Sequence, residues 1–265
     1  MTRLVAAVLV LAAAASLAAQ SPVVNAVVER HTPSADFGRD VQAIASGTTP
    51  AWIGYRVPIQ RRGDTAPEAG DWCCGRCRLA PPTDLVVLAR VRDGSVADLR
   101  AIAIDCDMDA GGMPLFWFDG VTADASVGWL STLVTKPTDG RPRVAETALS
   151  AIAQHAGSGA AKMLVQIAQS GTSSMRGRSL VWLARRAADQ ALPTIDTALQ
   201  RDPDTSVKKQ AVVALSRFPN GEGIPKLMDV ARSHSNAEVR RQAMLTLGQS
   251  NDPRAVDFFA QILLK

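Results

Sequence analysis

A pattern of apolar and small residues recurs four times in the second half of this chain, and it constrains the fold more than any other feature. Its first segments, VAETALSAI, MRGRSLVWL, VKKQAVVAL and VRRQAMLTL, begin at Val144, Met175, Val207 and Val239. A second segment follows each of them and begins at Ala160, Ala191, Gly223 and Ala255. Self-similarity at a constant spacing of about 32 residues predicts a stacked array of repeated units.

Each unit of this pattern has the signals of two helices. In the third unit, Val207, Ala211 and Leu215 recur at the spacing of one helix face, and Ile224 and Leu227 do so in the segment that follows. A single helix pair cannot bury its apolar face alone. The units therefore have to stack, so that neighbours share one continuous core.

The last unit, NAEVRRQAMLTLGQSNDPRAVDFFAQIL, resembles the short HEAT repeat associated with phycobilisome lyases, which typically reads V-R-x-x-A-x-x-x-L-G followed by D-P-x-A-V. The second unit departs most from this pattern, because Arg185 and Arg186 stand where turn residues are usual. The resemblance implies a right-handed α-helical solenoid whose second helices line a concave binding surface. It implies no chemistry, since such repeats occur in scaffolds and in a few enzymes alike. It covers four units, namely residues 143–173, 174–205, 206–235 and 236–265.

The N-terminus has the pattern of a secretory signal peptide. Arg3 precedes an uncharged apolar run from Leu4 to Ala19, which is shorter than a membrane span requires. We therefore expect residues 1–19 to be removed on export and the mature protein to be periplasmic or secreted, with no stable membrane span. Residues 20–50 are interpreted as a polar lead-in that contains a short helix from Asp36 to Ala45.

Residues 51–140 have the pattern of a small α+β domain. The stretch from Trp52 to Ile59 alternates like a strand, and residues 84–104 read as two strands around the Asp93-Gly94 turn. Residues 114–121 add a fourth strand, and a helix follows. We predict an antiparallel sheet and a flanking helix that close the first end of the repeat array. This half resembles segments that precede HEAT arrays in other exported bacterial proteins, and the resemblance carries no activity.

The four cysteines of the chain are candidates for a disulfide framework, because export would place them where disulfides persist. Three lie in the stretch DWCCGRC as Cys73, Cys74 and Cys77, and the fourth, Cys106, follows a predicted strand. We interpret them as bridges that tie a long loop to the sheet, and the sequence leaves the pairing open. Two alternatives remain. Cys74 and Cys77 have the spacing of a thiol–disulfide oxidoreductase, and four thiolates could hold zinc.

Other signals for chemistry are weak. Asp105, Asp107 and Asp109 alternate as in a calcium loop, but an EF-hand would place glycine where Ala110 stands. A solvated acidic turn is the favoured interpretation, with weak calcium binding as the alternative. The chain has no H-E-x-x-H or G-x-S-x-G stretch. The sequence therefore predicts no catalytic residue, no cofactor and no metal.

Charge is divided unevenly between the two halves. Residues 1–140 carry 12 Lys and Arg against 15 Asp and Glu, a balance of −3, whereas residues 141–265 carry 17 against 10, a balance of +7. This difference favours a domain boundary near residue 140. Some of the cations recur at equivalent places on successive first helices, where they would form a ridge that attracts an acidic partner. The ridge residues are Arg176, Arg178, Lys208, Lys209, Arg240 and Arg241.

The function these patterns favour is that of an exported, non-enzymatic scaffold that binds a protein partner through the repeat surface. The alternative is a thiol–disulfide oxidoreductase that uses Cys74 and Cys77. Nucleic acid is not an expected partner, because the chain combines an export signal with a lack of aromatic stacking platforms.

Overall fold

The computed structural model describes residues 23–60, 83–104, 106–135 and 141–264. The part before residue 140 is built from short strands and two helices, as the alternating and helical patterns of this half predict. Its elements are β1 (Val23–Val24), β2 (Val27–His31), α1 (Phe37–Ala45), β3 (Ala51–Pro58), β4 (Asp84–Arg92), β5 (Ser95–Ala103), β6 (Met108–Asp109), β7 (Pro114–Phe118) and α2 (Ala123–Thr135).

Five of these strands form one sheet in the order β2-β7-β3-β4-β5. The strands β3, β4 and β5 are antiparallel, as predicted, and the β4–β5 turn holds Asp93 and Gly94 at positive φ angles of 54° and 74°. The prediction of an antiparallel sheet is incomplete, because β7 pairs in parallel with both β2 and β3. The segment interpreted as a lead-in therefore supplies an edge strand of the sheet. The short strands β1 and β6 pair with each other in parallel.

Both faces of this sheet are buried. One face packs against helices through residues such as Ile53 and Val87 and belongs to the main core. The opposite face carries a smaller apolar cluster that includes Leu88 and Trp117. Trp117 lies directly on the backbone of Gly54, where an added Cβ would come within 2.8 Å of the indole ring. Glycine is required at this position for the tryptophan to pack.

The second half of the chain folds into helices, and each predicted unit contains two of them. Side-chain oxygens of Thr172, Asp204, Asn236 and Asp252 accept hydrogen bonds from backbone amides at the helix starts, which stabilises these N-termini. The helices are α3 (Pro142–Gln154), α4 (Ser158–Ser170), α5 (Ser173–Arg186), α6 (Ala188–Arg201), α7 (Thr205–Leu215), α8 (Ile224–Ser233), α9 (Ala237–Gly248) and α10 (Pro253–Leu263).

The first helices of successive repeats stack closely on one another. At the contact of α5 with α7, a Cβ added to Gly177 would come within 2.9 Å of the Gln210 side chain, so this crossing also depends on a glycine. The apolar residues of all four repeats join those of the sheet in one core cluster. None of the helices in the described parts of the chain combines the length and hydropathy that crossing a membrane requires.

The N-terminal elements cover the first end of the array and make the contacts that a preceding repeat would make. Helix α2 packs against α3 and α4, in the same way that α4 packs against α5 and α6. Strand β5 packs against α3, as α5 does from the other side. Helix α2 thus takes the place of a second helix, and the sheet takes the place of a first helix, in a unit that precedes the first repeat.

Candidate functional site

A groove of about 180 Å³ lies between the second helices of the second and third repeats. Helix α6 contributes Asp196, Leu199 and Gln200, and the others come from α8 and the residue that ends it, namely Lys226, Asp229, Val230, Ser233 and His234. Both helices are amphipathic and direct their apolar side chains, such as Ile195 and Leu227, into the core. The polar edge of each helix is therefore left facing its neighbour across the groove.

The groove carries more negative than positive charge. The Lys226 ammonium lies 2.8 Å from the Asp196 carboxylate and pairs with it across the two helices. The Asp229 side chain is exposed and makes no ion pair within the described residues. With one cation between two carboxylates, the groove can accept one further positive group. The array as a whole is basic, so this acidic groove is a local exception.

His234 closes one end of the groove and holds its two walls together. The Leu199 carbonyl accepts a hydrogen bond from Nε2 of His234 at 3.0 Å, which links the end of α8 to α6. The Asn236 amide donates to Nδ1 of the same ring at 3.1 Å. These two bonds define a neutral tautomer with the proton on Nε2.

A second polar cluster lies where the sheet meets the first repeat. Tyr55 of β3, Ser126 of α2 and His155 at the end of α3 are each fully buried. The Ser126 hydroxyl lies 2.7 Å from the Tyr55 hydroxyl and 2.7 Å from Nε2 of His155. Nδ1 of His155 donates to the Ala151 carbonyl at 2.7 Å, because a carbonyl can only accept. Ser126 therefore donates to Nε2, and Tyr55 donates to Ser126.

Burial keeps this cluster neutral. It lowers the pKa of His155 to about 4, against a smaller opposing effect of the hydrogen bond to Ala151. It also raises the pKa of the Tyr55 hydroxyl far above its ordinary value. A serine bonded to a neutral histidine is the arrangement of an activated nucleophile. Both residues have no exposed surface, so a substrate cannot reach the hydroxyl without opening the core, and we interpret the cluster as a structural junction.

The backbone reinforces the same junction. The amide of Gln60, just after β3, donates to the Gln154 carbonyl at 2.9 Å, and the Ala156 amide donates to the Pro58 carbonyl at 3.0 Å. Ile59 and His155 form an isolated antiparallel bridge between these two bonds. The end of a strand is thus hydrogen-bonded to the end of a helix in the first repeat.

Arg186, one of the two arginines that depart from the repeat pattern, binds the end of α3 beside this junction. Nη1 of Arg186 donates to the Ala153 carbonyl at 2.7 Å, and Nη2 donates to the Gly157 carbonyl at 2.8 Å. These carbonyls belong to the last turn of α3 and to the turn after it, where a positive charge is favourable. The departure of the second repeat from the family pattern therefore serves its contact with the first.

The six cations of the predicted ridge have different environments. Arg176 makes a bidentate ion pair with Asp202, whose carboxylate accepts from Nε at 2.8 Å and from Nη2 at 2.9 Å. Only 17% of the Arg176 side chain is exposed, so this residue is not available to a partner. The other ridge residues leave part of their surface exposed, and the ridge as a docking site stays a prediction.

Three of these remaining ridge residues have intramolecular partners. Arg178 pairs with Glu146 at 2.9 Å, and Lys209 lies 3.9 Å from Glu238. Nη1 of Arg240 donates to the His234 carbonyl at 2.6 Å. Such contacts bind one repeat to the next or fix a helix start, and they leave less charge for an acidic partner than the sequence suggests. Lys208 is half-buried and Arg241 is exposed.

The cysteines lie largely outside the described residues, which exclude Cys73, Cys74 and Cys77. Cys106 is buried and disulfide-bonded. Its pairing and the redox behaviour of Cys74 and Cys77 stay predictions.

Of the acidic stretch, Asp105 is not described, and the Asp109 carboxylate accepts bonds from the Asn25 side chain and the Gly111 amide. Within the described residues, no three His, Cys, Asp or Glu side chains lie close enough to hold a metal ion.

The sequence patterns predicted neither the groove nor the junction. Tyr55 is the single tyrosine of the chain and lies among apolar residues in the first part of a strand, which is a signal that a buried partner is required. Nothing in the spacing of Ser126 and His155 connects them to it. Asp196 and Asp229 look like ordinary polar positions on two separate helices.

The comparison with protein families agrees with this architecture. Residues 192–265 match the family model described as HEAT repeats, from within α6 to the last residue. Neither a curated protein nor a solved structure matches the chain. The helix pairs before and within the matched region follow one continuous stacking pattern in a single core. Residues 192–265 are therefore HEAT repeats, and the helix pairs before them continue the same stacking pattern.

Proposed function

We propose that this protein is an exported, non-enzymatic scaffold that binds a protein partner in the groove between α6 and α8. The observation that carries the proposal is the groove itself, which two consecutive repeats build from polar residues around an apolar floor of Leu199 and Val230. Repeat arrays typically bind partners along such extended surfaces. HEAT repeats are themselves typical of interaction scaffolds rather than of enzymes.

The charge of the groove indicates the chemistry of the partner. Asp229 offers a carboxylate that no cation of the described residues pairs with, next to the ion pair of Asp196 and Lys226. A lysine or arginine side chain would place its aliphatic part against Leu199 and Val230 and its charge beside Asp229. We therefore expect the partner to present a basic side chain at this point.

Export is part of the same proposal. It rests on the apolar run of residues 1–19, which lies outside the described residues, and it is supported by the disulfide bond of Cys106. Structural disulfides persist in oxidising compartments and are rare in reducing ones. The periplasm or the extracellular space is the location that accommodates this bond.

A site-specific crosslink tests the binding site. A photoreactive amino acid replaces Gln200, which lines the groove, or Gln249, an exposed glutamine at the end of α9. The processed protein is then irradiated in an extract of the exported proteins from its own source. We expect one defined adduct from Gln200, none from Gln249, and loss of the adduct when Asp229→Lys is added. Equal labelling from both positions, or adducts that ignore Asp229→Lys, would contradict the proposal.

Thiol counting tests the alternative function. Alkylation and mass spectrometry across glutathione buffers measure the potential at which each cysteine opens. We expect all four cysteines to stay oxidised in buffers with potentials down to about −300 mV, as structural disulfides do. If the pair Cys74–Cys77 opens near about −200 mV, the protein has the redox behaviour of an oxidoreductase and the non-enzymatic proposal fails.

A further inference from the structure

The face of the sheet that carries the smaller apolar cluster also carries exposed arginines. Arg90 on β4 is the direct neighbour of Trp52 on β3, and Arg100 on β5 is the direct neighbour of Leu88 on β4. Side chains directly opposite each other in antiparallel strands lie on the same face. Trp52 and Leu88 both belong to the smaller cluster, so Arg90 and Arg100 lie on that face as well, and both are exposed.

The two guanidinium groups meet over a single indole ring. The Arg100 guanidinium lies 5.3 Å from the centroid of the Trp52 ring, and the Arg90 guanidinium lies 5.9 Å from it. The face of an aromatic ring attracts cations, which offsets part of the repulsion between two like charges held close together. Only 2% of Trp52 is exposed, so a partner would meet the arginines here rather than the ring.

A single carboxylate serves both of these arginines. Asp98 is opposite Arg90 in the strand register and accepts a hydrogen bond from Nε of Arg100 at 3.3 Å. Arg90 itself makes no ion pair within the described residues. Two cations and one anion leave a positive charge at this point, although the first half of the chain is acidic in total. The complementary group is an anion.

A third arginine extends the same face along β3. Arg56 follows Trp52 by four residues, and the alternation of a strand places both on one side of the sheet. Arg56 is exposed and makes no ion pair within the described residues. The nearby Asp119 carboxylate is already bound by Arg30 at 2.8 Å. Arg56 therefore adds a second position at which an anion is not supplied by the described part of the chain.

The indole beneath the arginines also lacks a hydrogen-bond acceptor. Nε1 of Trp52 is buried and has no acceptor among the described residues. Trp117, the other indole of this face, donates to the Asp119 carboxylate at 3.2 Å. A buried N–H without a partner costs free energy that a bound oxygen atom recovers. An acceptor oxygen that enters between the two arginines would supply the missing bond.

The types of side chain on this face indicate which class of anion it suits. Guanidinium groups bind carboxylates through two parallel hydrogen bonds, and arginine is enriched among the residues that dominate protein–protein interfaces. Single-stranded nucleic acids need exposed aromatic rings on which their bases can stack. Trp52 and Trp117 are both buried and offer no such ring. A protein partner with acidic side chains fits these observations best.

We propose that Arg56, Arg90 and Arg100, which we call the arginine face, bind an acidic segment of a protein partner. One carboxylate of this segment lies between the guanidinium groups of Arg90 and Arg100, and another pairs with Arg56. Four residues along a strand span about 13 Å, so the two carboxylates belong to residues about four positions apart in an extended segment. The arginine face lies on the sheet, apart from the groove between α6 and α8, and selects the opposite charge.

Fluorescence anisotropy with a labelled oligoglutamate peptide at physiological ionic strength tests the proposal. We expect the wild type to bind this peptide and not an oligoglutamine peptide of equal length. Arg90→Ala should weaken binding by about 10-fold or more, because it removes charge-assisted hydrogen bonds to a carboxylate. Arg90→Lys keeps the charge without the fork of donors and should weaken it by about 3-fold or more. Arg39→Ala is the matched control, since Arg39 is an exposed arginine on α1 and its loss should leave binding unchanged.

Circular dichroism checks that the variants are folded. If Arg90→Ala unfolds, Arg90→Lys still decides the question, because lysine keeps an aliphatic chain over Trp52. Equal losses with Arg90→Ala and Arg39→Ala would show a response to net charge alone and would overturn the proposal, as would a wild type that does not bind oligoglutamate. Tighter binding of polyphosphate or of phosphatidylglycerol vesicles at Arg90 would overturn the assignment to a protein. The peptide assay does not involve the groove, so its result is independent of the crosslink from Gln200.

Discussion

The two ends of this repeat array differ in what covers them. At the first repeat, a sheet and a helix take the place of a preceding unit, and buried hydrogen bonds among Tyr55, Ser126 and His155 fix them in place. In the last described repeat, by contrast, Leu245, Val256 and Leu263 are exposed. Both repeats are pairs of amphipathic helices. The comparison shows what the sheet and α2 add at the first end, namely a cover for its apolar side chains and buried polar contacts that hold the cover in place.

The largest expected difference between the ends concerns apolar packing. Leu149→Ala in α3 removes a side chain with no exposed surface and should lower the free energy of unfolding by about 2–5 kcal/mol. Leu263→Ala at the open end removes an exposed side chain and should change it by no more than about 0.5 kcal/mol. Urea unfolding at low protein concentration measures both. An equal loss for the two variants would show that Leu263 is packed as closely as Leu149, against its exposure in the structure.

The pH dependence of stability sharpens the same comparison, because His155 belongs to the closed end. Its pKa is lowered from 6.5 to about 4, so the unfolded chain binds a proton at a higher pH than the folded chain does. Stability should be complete above pH 6.5 and should decrease as the pH falls towards 4, by about 3 kcal/mol in total. Thermal or urea unfolding across this range measures the slope.

His155→Gln supplies the control for this slope. The variant should be less stable overall, since glutamine does not reproduce the two ring bonds, but its stability should vary much less between pH 6.5 and 4. The aspartates with lowered pKa values, such as Asp119 hydrogen-bonded to Arg30, keep their stabilising effect above pH 3.8 and lose it as the pH falls further, so they affect the slope mainly below this range. An unchanged slope in the variant would assign the pH dependence to another group.

The smallest expected difference concerns a single hydroxyl. Ser126→Ala leaves the Tyr55 hydroxyl and Nε2 of His155 buried without their shared partner, and should cost about 1–3 kcal/mol. Ser250→Ala, near the open end, removes a hydroxyl that donates to the Leu247 carbonyl at 2.7 Å beside solvent, and should cost no more than about 1 kcal/mol. Chemical denaturation of both variants measures the difference. Equal losses would mean that the junction contributes no more than a surface hydrogen bond.

The sequence predicts the local parts of this fold well. Helical spacing and capping residues such as Asn236 identify the repeat helices, and the Asp93-Gly94 pair identifies the hairpin, because each signal lies within a few neighbouring residues. The edge strand β2 was missed, since it spans only Val27–His31 and pairs in parallel with a strand far away in the chain. Parallel strands are not joined by a short hairpin turn, so no turn sequence indicates their pairing.

The candidate sites were harder to predict for the same physical reason. Tyr55 and His155 are 100 positions apart in the chain and meet through Ser126, and no local pattern records a contact between three elements. One residue of the predicted ridge shows the opposite error. Arg176 was expected to serve a partner, whereas Asp202 binds it inside the protein, because a sequence shows where a charge recurs but not what lies beside it.

The parallel pairing of β2 with β7 also constrains how this molecule must be made. The register pairs Val27 with Pro114. The ribosome must therefore add 87 more residues after Val27 before its partner strand begins. During that interval the chain carries an unpaired strand with two adjacent valines, the kind of segment that associates with other unfinished chains. The repeats that follow fold from local contacts, so their folding does little to shorten the time for which this strand is unpaired. We therefore expect the folding of the N-terminal half during synthesis, rather than the stability of the folded protein, to be the step at which this architecture is most prone to aggregation.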